Sequence, residues 1–368
     1  MAFMTILLLC EHRHSTSTST QFVAATQGVE EKVGGCFFKM SGEDYDAAAA
    51  AEKKLHCASC GIAQVDDIKL FECNSCDLAR YCSHDCQENH KSEHEEDCKK
   101  RAAELRDELL FKQPESTHLG DCPICMIPLP LDEEKISFRF CCCNFVCEGC
   151  MHQSFKREIE ERRRYPECPF CREPTPTGDN MKSSLNKLSM KRVKAKDPVA
   201  MCLMGGDLDS KGDHIGAFGW YTKAAELGHV EAHYQLAVLY RDGEGFEKDS
   251  GKEIHHLEVA AIGGHPGARH NLAVLEFNEG SRERAGKHWI IAATQGQDES
   301  IESLMNMFKL EGIEGGRRSV SKEDLAAALR GHQAAVEAYK SPQREAATAF
   351  HGRNRHLSGF ASTSEQES

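Results

Sequence analysis

The sequence of 368 residues has little cysteine outside one region, no long apolar run and no excess of basic residues. Only Cys10, Cys36 and Cys202 lie outside the segment from Cys57 to Cys171, which holds 16 of the 19 cysteines. Nearly all of these 16 thiols stand at metal-ligand spacings. This pattern indicates metal binding in a reducing compartment and argues against a disulfide framework.

The other absences exclude further classes of protein. No apolar run approaches the ~18 residues of a transmembrane helix, and the formal net charge of −13 opposes affinity for phosphate backbones. We therefore expect neither a membrane nor a nucleic acid as partner. The apolar opening Ala2–Cys10 lacks a preceding basic residue and a clear cleavage site, so we expect no signal peptide. These features predict a cytoplasmic protein. The basic cluster Lys191–Lys196 is read as a solvated linker, with a nuclear import signal as the alternative.

The first cysteine-rich stretch begins at Cys57 and ends at Cys98. Pairs of cysteines two residues apart let one turn of backbone present both thiolates to a single zinc ion. The spacing resembles that of the MYND finger, including Tyr81 before the fifth ligand. The resemblance implies two zinc sites, one formed by Cys57, Cys60, Cys82 and Cys86, the other by Cys73, Cys76, His94 and Cys98. The family spacing favours His94 over His90 as a ligand, and the family implies peptide binding.

The second cysteine-rich stretch, Cys122–Cys171, resembles a RING finger, in which ligand pairs alternate between two zinc ions. The resemblance implies one site formed by Cys122, Cys125, Cys147 and Cys150, and a second formed by Cys168, Cys171 and two of the three central cysteines. Most RING fingers have a histidine where this chain has Asn144. Some all-cysteine variants have the fourth ligand five residues before the fifth, followed by glycine. That alignment selects Cys142, with Cys141 as its partner. Cys143 then occupies the glycine position and is the substitute ligand.

The RING resemblance also implies a docking surface for a ubiquitin-conjugating enzyme. Ile124 lies where RING fingers have an apolar contact to that enzyme, and Pro169 lies in the second contact loop. Arg172 directly follows the eighth ligand, where active members often have an arginine that bridges both partners. Its planar guanidinium suits a bridge with several donors.

A repeat follows the fingers. Paired alanines recur at Ala224–Ala225, Ala260–Ala261 and Ala292–Ala293, at intervals of 36 and 32 residues, each followed by glycine. A period of this length is typical of an α-solenoid of helix pairs. The signature resembles Sel1-like repeats, in which small alanines let two helices approach closely and glycine ends a helix in the left-handed conformation.

The sequence therefore predicts small zinc-bound domains, MYND-like and RING-like, followed by an all-α solenoid of Sel1-like helix pairs. The expected divisions are a disordered leader (1–54), a MYND-like finger (55–98), a linker helix (99–114), a RING-like finger (115–175), a basic linker (176–196), the solenoid with a capping helix (197–345) and a disordered tail (346–368). The combination resembles an expanded family of algal and diatom-like proteins that join cysteine-rich fingers to Sel1-like repeats.

Two functions fit this arrangement. The first is a RING-type ubiquitin ligase with four zinc ions, whose RING-like finger recruits a ubiquitin-conjugating enzyme while the repeats and the MYND-like finger bind a protein substrate or peptide ligands. Such a protein needs no nucleophile, because its catalysis comes from positioning the thioester. The alternative is a non-enzymatic scaffold or adaptor, since three interaction modules describe one equally well.

Overall fold

The computed structural model describes residues 56–64, 69–162, 166–177, 181–243, 247–314 and 318–361, with two short strands before them. These strands, Lys32–Val33 (β1) and Cys36–Phe37 (β2), pair antiparallel. The rest of the predicted leader, 1–54, and the end of the predicted tail, 362–368, lie outside the described residues. The chain divides into two compact units, residues 1–102 and 103–368.

The first finger, residues 57–98, is a short hairpin followed by a helix. Strands Phe71–Glu72 (β3) and Arg80–Tyr81 (β4) pair antiparallel, and Tyr81 is 1% exposed. Helix α1 runs without interruption from His84 to Leu110. The predicted boundary at residue 99 between finger and linker helix is therefore absent. The sequence has no glycine or proline from His84 to Lys112 that would end the helix.

The last turns of α1 belong to the second unit. Leu110 is 1% exposed and packs with Leu257 and Ala260 of the solenoid. The fully buried Arg269 donates hydrogen bonds to the carbonyl oxygens of Leu110 and Ala261, the latter at 2.7 Å. The end of the predicted linker helix is thus part of the solenoid core.

The second finger, residues 122–171, has a hairpin and one helix. Strand Ile136–Arg139 (β5) follows a 3₁₀ turn, Glu133–Lys135, and pairs antiparallel with Asn144–Cys147 (β6). The turn between the strands contains the three adjacent cysteines. Helix α2, Glu148–Glu160, begins directly after β6, so that the N-terminus of a helix lies at the ligand pair Cys147 and Cys150.

Helical pairs make up the rest of the chain. A linker helix, α3 (Met181–Lys194), precedes eight helices of the solenoid and a C-terminal helix. The eight are α4 (Pro198–Asp209), α5 (His214–Glu226), α6 (Val230–Asp242), α7 (Ser250–Ile262), α8 (Pro266–Asn278), α9 (Arg282–Thr294), α10 (Asp298–Glu314) and α11 (Lys322–Ala338). Most of them pack chiefly against their neighbours in sequence, as a solenoid requires, while α11 packs chiefly against α9.

The repeated alanines are buried, as the repeat predicts. Ala224, Ala260, Ala261, Ala292 and Ala293 are each fully buried between helices. After each alanine pair a glycine, Gly228, Gly264 or Gly296, has a φ of 79° to 91°, a conformation that other residues rarely adopt. The prediction of an α-solenoid is confirmed.

The C-terminal region differs from the prediction of a disordered tail from residue 346. Helix α12 begins at Pro342, where proline suits the first turn, and continues to Ala361. It packs against α2 of the second finger. The sequence of α12 is polar over most of its length, so the pattern alone did not indicate a partner. Among the described residues, no helix is long and apolar enough to cross a membrane.

Candidate metal centres

Three of the five cysteine pairs with two intervening residues have the same backbone. In each, the first cysteine accepts at its carbonyl oxygen from the amide four residues on, at 2.9 Å, and this amide belongs to Gly61, Met126 or Arg172. These three residues have φ values of 73°, 55° and 61°. An antiparallel bridge then closes each loop. This common turn, here called a knuckle, directs both sulfur atoms of a pair to one point.

The structure brings together the four groups of residues that the two resemblances imply as ligands. Within each group all four donor atoms lie within 4.8 Å of one another. The groups are Cys57, Cys60, Cys82 and Cys86; Cys73, Cys76, His94 and Cys98; Cys122, Cys125, Cys147 and Cys150; and Cys141, Cys142, Cys168 and Cys171. Each finger therefore holds two interleaved groups.

In the first finger, the first knuckle, the hairpin and α1 supply the donors. The Sγ atoms of Cys82 and Cys86, one helical turn apart, are separated by 3.6 Å, and Cys60 Sγ lies 3.5 Å from Cys82 Sγ. In the other group, His94 Nε2 lies 3.2 Å from Cys76 Sγ. His90 is not in either group. Its Nδ1 lies 3.2 Å from the Tyr81 hydroxyl, so it is a structural neighbour and not a solvated one.

In the second finger, the turn between β5 and β6 separates the three adjacent cysteines. Cys141 Sγ lies 3.3 Å from Cys171 Sγ, and Cys142 Sγ lies 3.9 Å from Cys168 Sγ. Cys143 has a φ of 53°, in agreement with its alignment to a glycine. Its side chain is buried in the core that contains Val193 and Ala200, away from the ligand group.

Asn144 does not join the ligand group. Its side-chain amide donates to the carbonyl oxygen of Cys142 at 3.2 Å. It therefore holds the turn that presents Cys141 and Cys142, where most RING fingers have a metal-binding histidine.

The donor sets fit zinc. A tetrahedral Zn²⁺ with sulfur ligands at ~2.3 Å separates two sulfur atoms by about 3.8 Å, and the paired sulfur atoms here lie 3.3–3.9 Å apart. Three groups have four cysteines and one has three cysteines and a histidine, the combinations of structural zinc sites. Zinc is the expected ion, and these sixteen residues would hold it.

The electrostatics of the knuckles favour thiolates. Burial raises the pKa of the Cys57 thiol, but backbone N–H groups outweigh it and lower the pKa to about 6. Burial and backbone N–H groups act in the same way on Cys168, with a pKa of about 7. A hydrogen bond from Cys147 and backbone N–H groups lower the pKa of Cys122 to about 4, against the effect of burial.

Two thiols of the first finger, Cys82 and Cys98, resist ionisation. Hydrogen bonds to Cys60 and Cys86 raise the pKa of Cys82 to about 12, and burial together with the hydrogen bond to Cys73 raises that of Cys98 to about 12. Several thiolates within 4.8 Å repel one another unless a cation lies between them. Each group is therefore suited to a divalent ion.

The three residues predicted to contact a conjugating enzyme lie together. Ile124, Pro169 and Arg172 line one groove of about 450 Å³ on the second finger. Other walls are formed by α2, through Ser154 and Arg157, and by Gln343 of α12. Ile124 is 40% exposed.

One further cluster, of two histidines and a glutamate, was not predicted from the sequence. Nε2 of His265 and Nε2 of His118 lie 3.1 Å and 3.3 Å from the same oxygen of Glu231. The histidine spacings gave no signal, because His118 lies far from the repeats in sequence. His265 Nδ1 accepts the Ala268 N–H at 3.0 Å, so Nε2 of the neutral ring carries the proton and donates to Glu231. A metal ligand needs a free lone pair, and neither ring nitrogen of His265 has one to offer. This donor set therefore does not fit a metal.

The cluster instead holds the segment before the second finger on the solenoid. Burial raises the pKa of Glu231, but hydrogen bonds from His118 and His265 outweigh it and hold the pKa well below its usual range. The backbone N–H of His118 also donates to the Gly264 oxygen at 3.0 Å. A side chain at Gly264 would have its Cβ 2.6 Å from the Ser116 oxygen.

Comparison with known proteins gives a family for the first finger. The family model of the MYND finger matches residues 52–98. The prediction of a MYND finger from ligand spacing is confirmed, and this match covers less than half of the chain.

Three curated relatives share short segments with this chain. Chitin synthase regulatory factor 2 of Schizosaccharomyces pombe is 34% identical over 79 residues, which are 22% of this chain and 15% of the relative. An uncharacterized protein of Neisseria meningitidis is 34% identical over 92 residues, 25% of this chain and 19% of the relative. Chitin synthase regulator SKT5 of Saccharomyces cerevisiae is 30% identical over 95 residues, which are 26% of this chain and 14% of the relative. The chain thus spans less than a fifth of each of these relatives.

Two solved structures are similar to part of the chain. The first is a protective antigen of uropathogenic Escherichia coli with an SLR fold. The matched region covers 50% of this chain and 37% of the antigen, with 21% identity and a TM-score of 0.35. A Sel1 repeat protein from Oxalobacter formigenes covers 42% of this chain and 64% of that protein, with 19% identity and a TM-score of 0.34. The chain itself has an N-terminal MYND finger, further cysteine clusters and a helical solenoid with a Sel1-like repeat signature.

Proposed function

We propose that this protein is a RING-type ubiquitin ligase built on a protein-interaction scaffold. The observation that carries the proposal is the groove of the second finger. Residues from two knuckles, Ile124 on one side and Pro169 and Arg172 on the other, line the same groove although 45 residues separate the knuckles in sequence. The RING resemblance assigns contact with a ubiquitin-conjugating enzyme to these three residues.

The exposed apolar side chains of the two knuckles, one of which lines the groove, support docking of a protein. Exposed apolar side chains extend from both knuckles, with Ile124 at 40%, Met126 at 70% and Phe170 at 45%. Apolar side chains clustered on a small exposed surface are typical of a protein-binding site. Pro169 adds a rigid backbone beside them.

Arg172 would hold the activated ubiquitin. Its backbone N–H donates to the Cys168 oxygen at 2.9 Å and fixes the left-handed conformation, so the exposed side chain extends from a rigid turn. The ligase residues bind and orient, while the nucleophile is the amine of the substrate. Restricting the loaded conjugating enzyme to a reactive arrangement lowers the barrier through proximity.

The MYND finger and the solenoid would bind the substrate. Both are protein-interaction modules by fold. Zinc, when bound, supplies the rigidity of both fingers, because units this small bury little apolar surface.

Single-turnover discharge of a ubiquitin-loaded conjugating enzyme, across a panel of such enzymes, tests the proposal. We expect the zinc-loaded full chain to accelerate discharge from at least one member. Ile124→Ala should weaken binding of that enzyme, and Arg172→Ala should slow discharge roughly ten- to hundredfold, as for loss of a charge-assisted hydrogen bond of about 1.5–3 kcal/mol.

Matched controls exist on the solenoid. Ile313→Ala removes an isoleucine that is 84% exposed, and Arg330→Ala removes an exposed arginine of α11. Both should leave discharge unchanged. Wild-type activity in Arg172→Ala would contradict the role of this residue, even if the ligase activity stands.

The second candidate is a non-enzymatic adaptor. Two curated relatives are regulators of chitin synthase, and a regulator of another enzyme fits three interaction modules in one chain. If the full chain with four zinc ions accelerates discharge from no member of the panel, the adaptor is the better conclusion.

A further inference from the structure

The guanidinium of Arg344, in the first turn of α12, lies on the Cys122–Cys125 knuckle. It donates to the carbonyl oxygens of Pro128 at 2.7 Å and Ile127 at 3.1 Å, and Nη2 lies 3.7 Å from Cys125 Sγ. Cys147, a second ligand of the same group, is among the thiols that raise the pKa of this guanidinium, against the effect of burial. Arg344 is more than 190 residues from the last of these ligands in sequence, yet it touches the metal group directly.

The close approach depends on a glycine between two ligands. A Cβ atom at Gly149 would lie 2.8 Å from the backbone nitrogen of Arg344 and 2.8 Å from its Cγ. Gly149 is buried in α2, between Cys147 and Cys150. The backbone of α12 therefore crosses α2 at the one position of this turn that has no side chain.

Further contacts hold α12 in this place. The rings of His152 and Phe350 have centroids 4.9 Å apart, and Ala347 is fully buried. His351 Nε2 lies 3.4 Å from a carboxylate oxygen of Glu148. These contacts extend over the first turns of both helices, so the position of Arg344 does not rest on a single interaction.

The chemistry of the group gives Arg344 a purpose. Four thiolates around one Zn²⁺ carry a net charge of −2, and this group is partly buried. A hydrogen bond from a guanidinium to the sulfur atoms offsets that charge and disfavours protonation, the step by which a thiolate leaves zinc. Groups that hydrogen-bond to metal ligands tune affinity and orientation at many metal sites.

We propose that Arg344 is an outer partner of the zinc site formed by Cys122, Cys125, Cys147 and Cys150, and that α12 controls how firmly this one site retains its metal. The C-terminal helix is then a functional part of the second finger. Because the adjacent Gln343 lines the groove, the same helix links metal retention to the interaction surface. This inference does not depend on ligase activity.

Zinc release from the purified full chain tests the proposal, with a chromophoric chelator as the probe. We expect Arg344→Gln to release one of four zinc equivalents about tenfold or more faster, in the range found for outer-shell substitutions. The other three should leave at the wild-type rate. Arg344→Lys should restore part of the retention, because it keeps the charge but not the forked donors. Arg330→Gln, on α11, is the matched control.

A second variant separates the hydrogen bond from general damage. Gly149→Ala should favour α2 by helix propensity, so on its own it would retain zinc at least as well as the wild type. Under the proposal it displaces α12 and speeds release from the same site. ¹¹³Cd substitution with NMR identifies that site, because only its resonance should shift in either variant. Release of all four ions at wild-type rates in Arg344→Gln, or equal acceleration of all four, would overturn the proposal.

Discussion

The fingers and the solenoid achieve stability in different ways. The buried cores of the fingers are small and consist largely of ligands, with Tyr81 and Ala79 beside Cys57 in the first and Val146 and Leu129 beside two cysteines in the second. The solenoid instead buries alanines, leucines and Trp289 between helices over its whole length. The fingers thus depend on a metal for folding energy, and the solenoid depends on close packing.

The second finger is intermediate between stabilisation by metal and stabilisation by helix packing. Cys143 and Phe138, from its hairpin, belong to the same core as Val193 and Ala200. Arg344 and α12 cover it from another side. The second finger therefore draws part of its stability from helical packing, and the first finger, in its own compact unit, serves as the reference for a finger held by metal.

Removal of zinc should produce the largest difference between the fingers and the solenoid. The purified chain should contain close to four zinc ions. A strong chelator should unfold the parts of both fingers that surround the ligands, since zinc supplies ~10–16 kcal/mol to isolated fingers. The helical signal of the solenoid in far-ultraviolet circular dichroism should remain. Limited proteolysis should cut the first finger before the second, because the second keeps its contacts with the solenoid.

Two results would contradict this expectation. Near two zinc ions per chain would mean that one finger is not binuclear. Loss of all helical signal on chelation would mean that the solenoid depends on the fingers for its fold.

Overpacking at an alanine pair should destabilise the solenoid and leave the fingers unchanged. Ala260 is fully buried in the core that also contains Leu257 and Leu110. Ala260→Leu should lower the free energy of unfolding by ~1–3 kcal/mol, because no space exists for three more carbon atoms. Zinc content should not change.

The matched control is Ala327→Leu, at an exposed position of α11, which should change stability by less than about 0.5 kcal/mol. Urea denaturation followed by circular dichroism measures both variants. Wild-type stability in Ala260→Leu would place this residue outside a close contact and contradict the repeat assignment.

Local spacing in the sequence was enough to predict most of the architecture. Ligand pairs two or four residues apart lie on one turn of backbone, so the chain itself brings them together, and the period of the alanine pairs requires repeated helix contacts. The choice of Cys141 and Cys142 over Cys143 rested instead on the resemblance to all-cysteine RING variants. The structure agrees with it, because the left-handed turn at Cys143 directs this side chain into the neighbouring core.

What the sequence could not indicate are contacts between distant segments. Arg344 lies on a zinc knuckle, and His118 and His265 share one carboxylate, yet neither set has a periodic or spaced pattern. The end of α1 resembles a spacer by composition, and only the tertiary structure shows Leu110 in the solenoid core. Single polar residues far apart in sequence meet through the fold, and their types alone do not reveal it.

The smallest expected effect is a loss of stability of the solenoid at acid pH. His256 on α7 lies with its Nδ1 3.0 Å from Nδ1 of His233 on α6, and its ring stacks on Tyr240. Burial, followed by His233, His255 and Lys252, lowers the pKa of His256 from 6.5 to about 4. Two neutral imidazoles can share one hydrogen bond between these nitrogens, whereas two protonated rings would both be donors.

The sign of the pH dependence follows from that lowered pKa. As the pH falls below about 6.5, the unfolded chain binds a proton at His256 before the folded chain does, so stability is lost between pH ~6.5 and ~4. His256→Gln keeps a polar group without the charge and should reduce the loss of stability between pH 7.5 and pH 5.5. The difference should be below about 1 kcal/mol, since the ring is partly exposed and screened by solvent. Urea midpoints of wild type and variant at both pH values measure it, with zinc loss common to both proteins. An identical pH dependence in the two would show that His256 is not the group that titrates. His229 and His270 are half-buried, and burial lowers their pKa values as well, so they would be tested next.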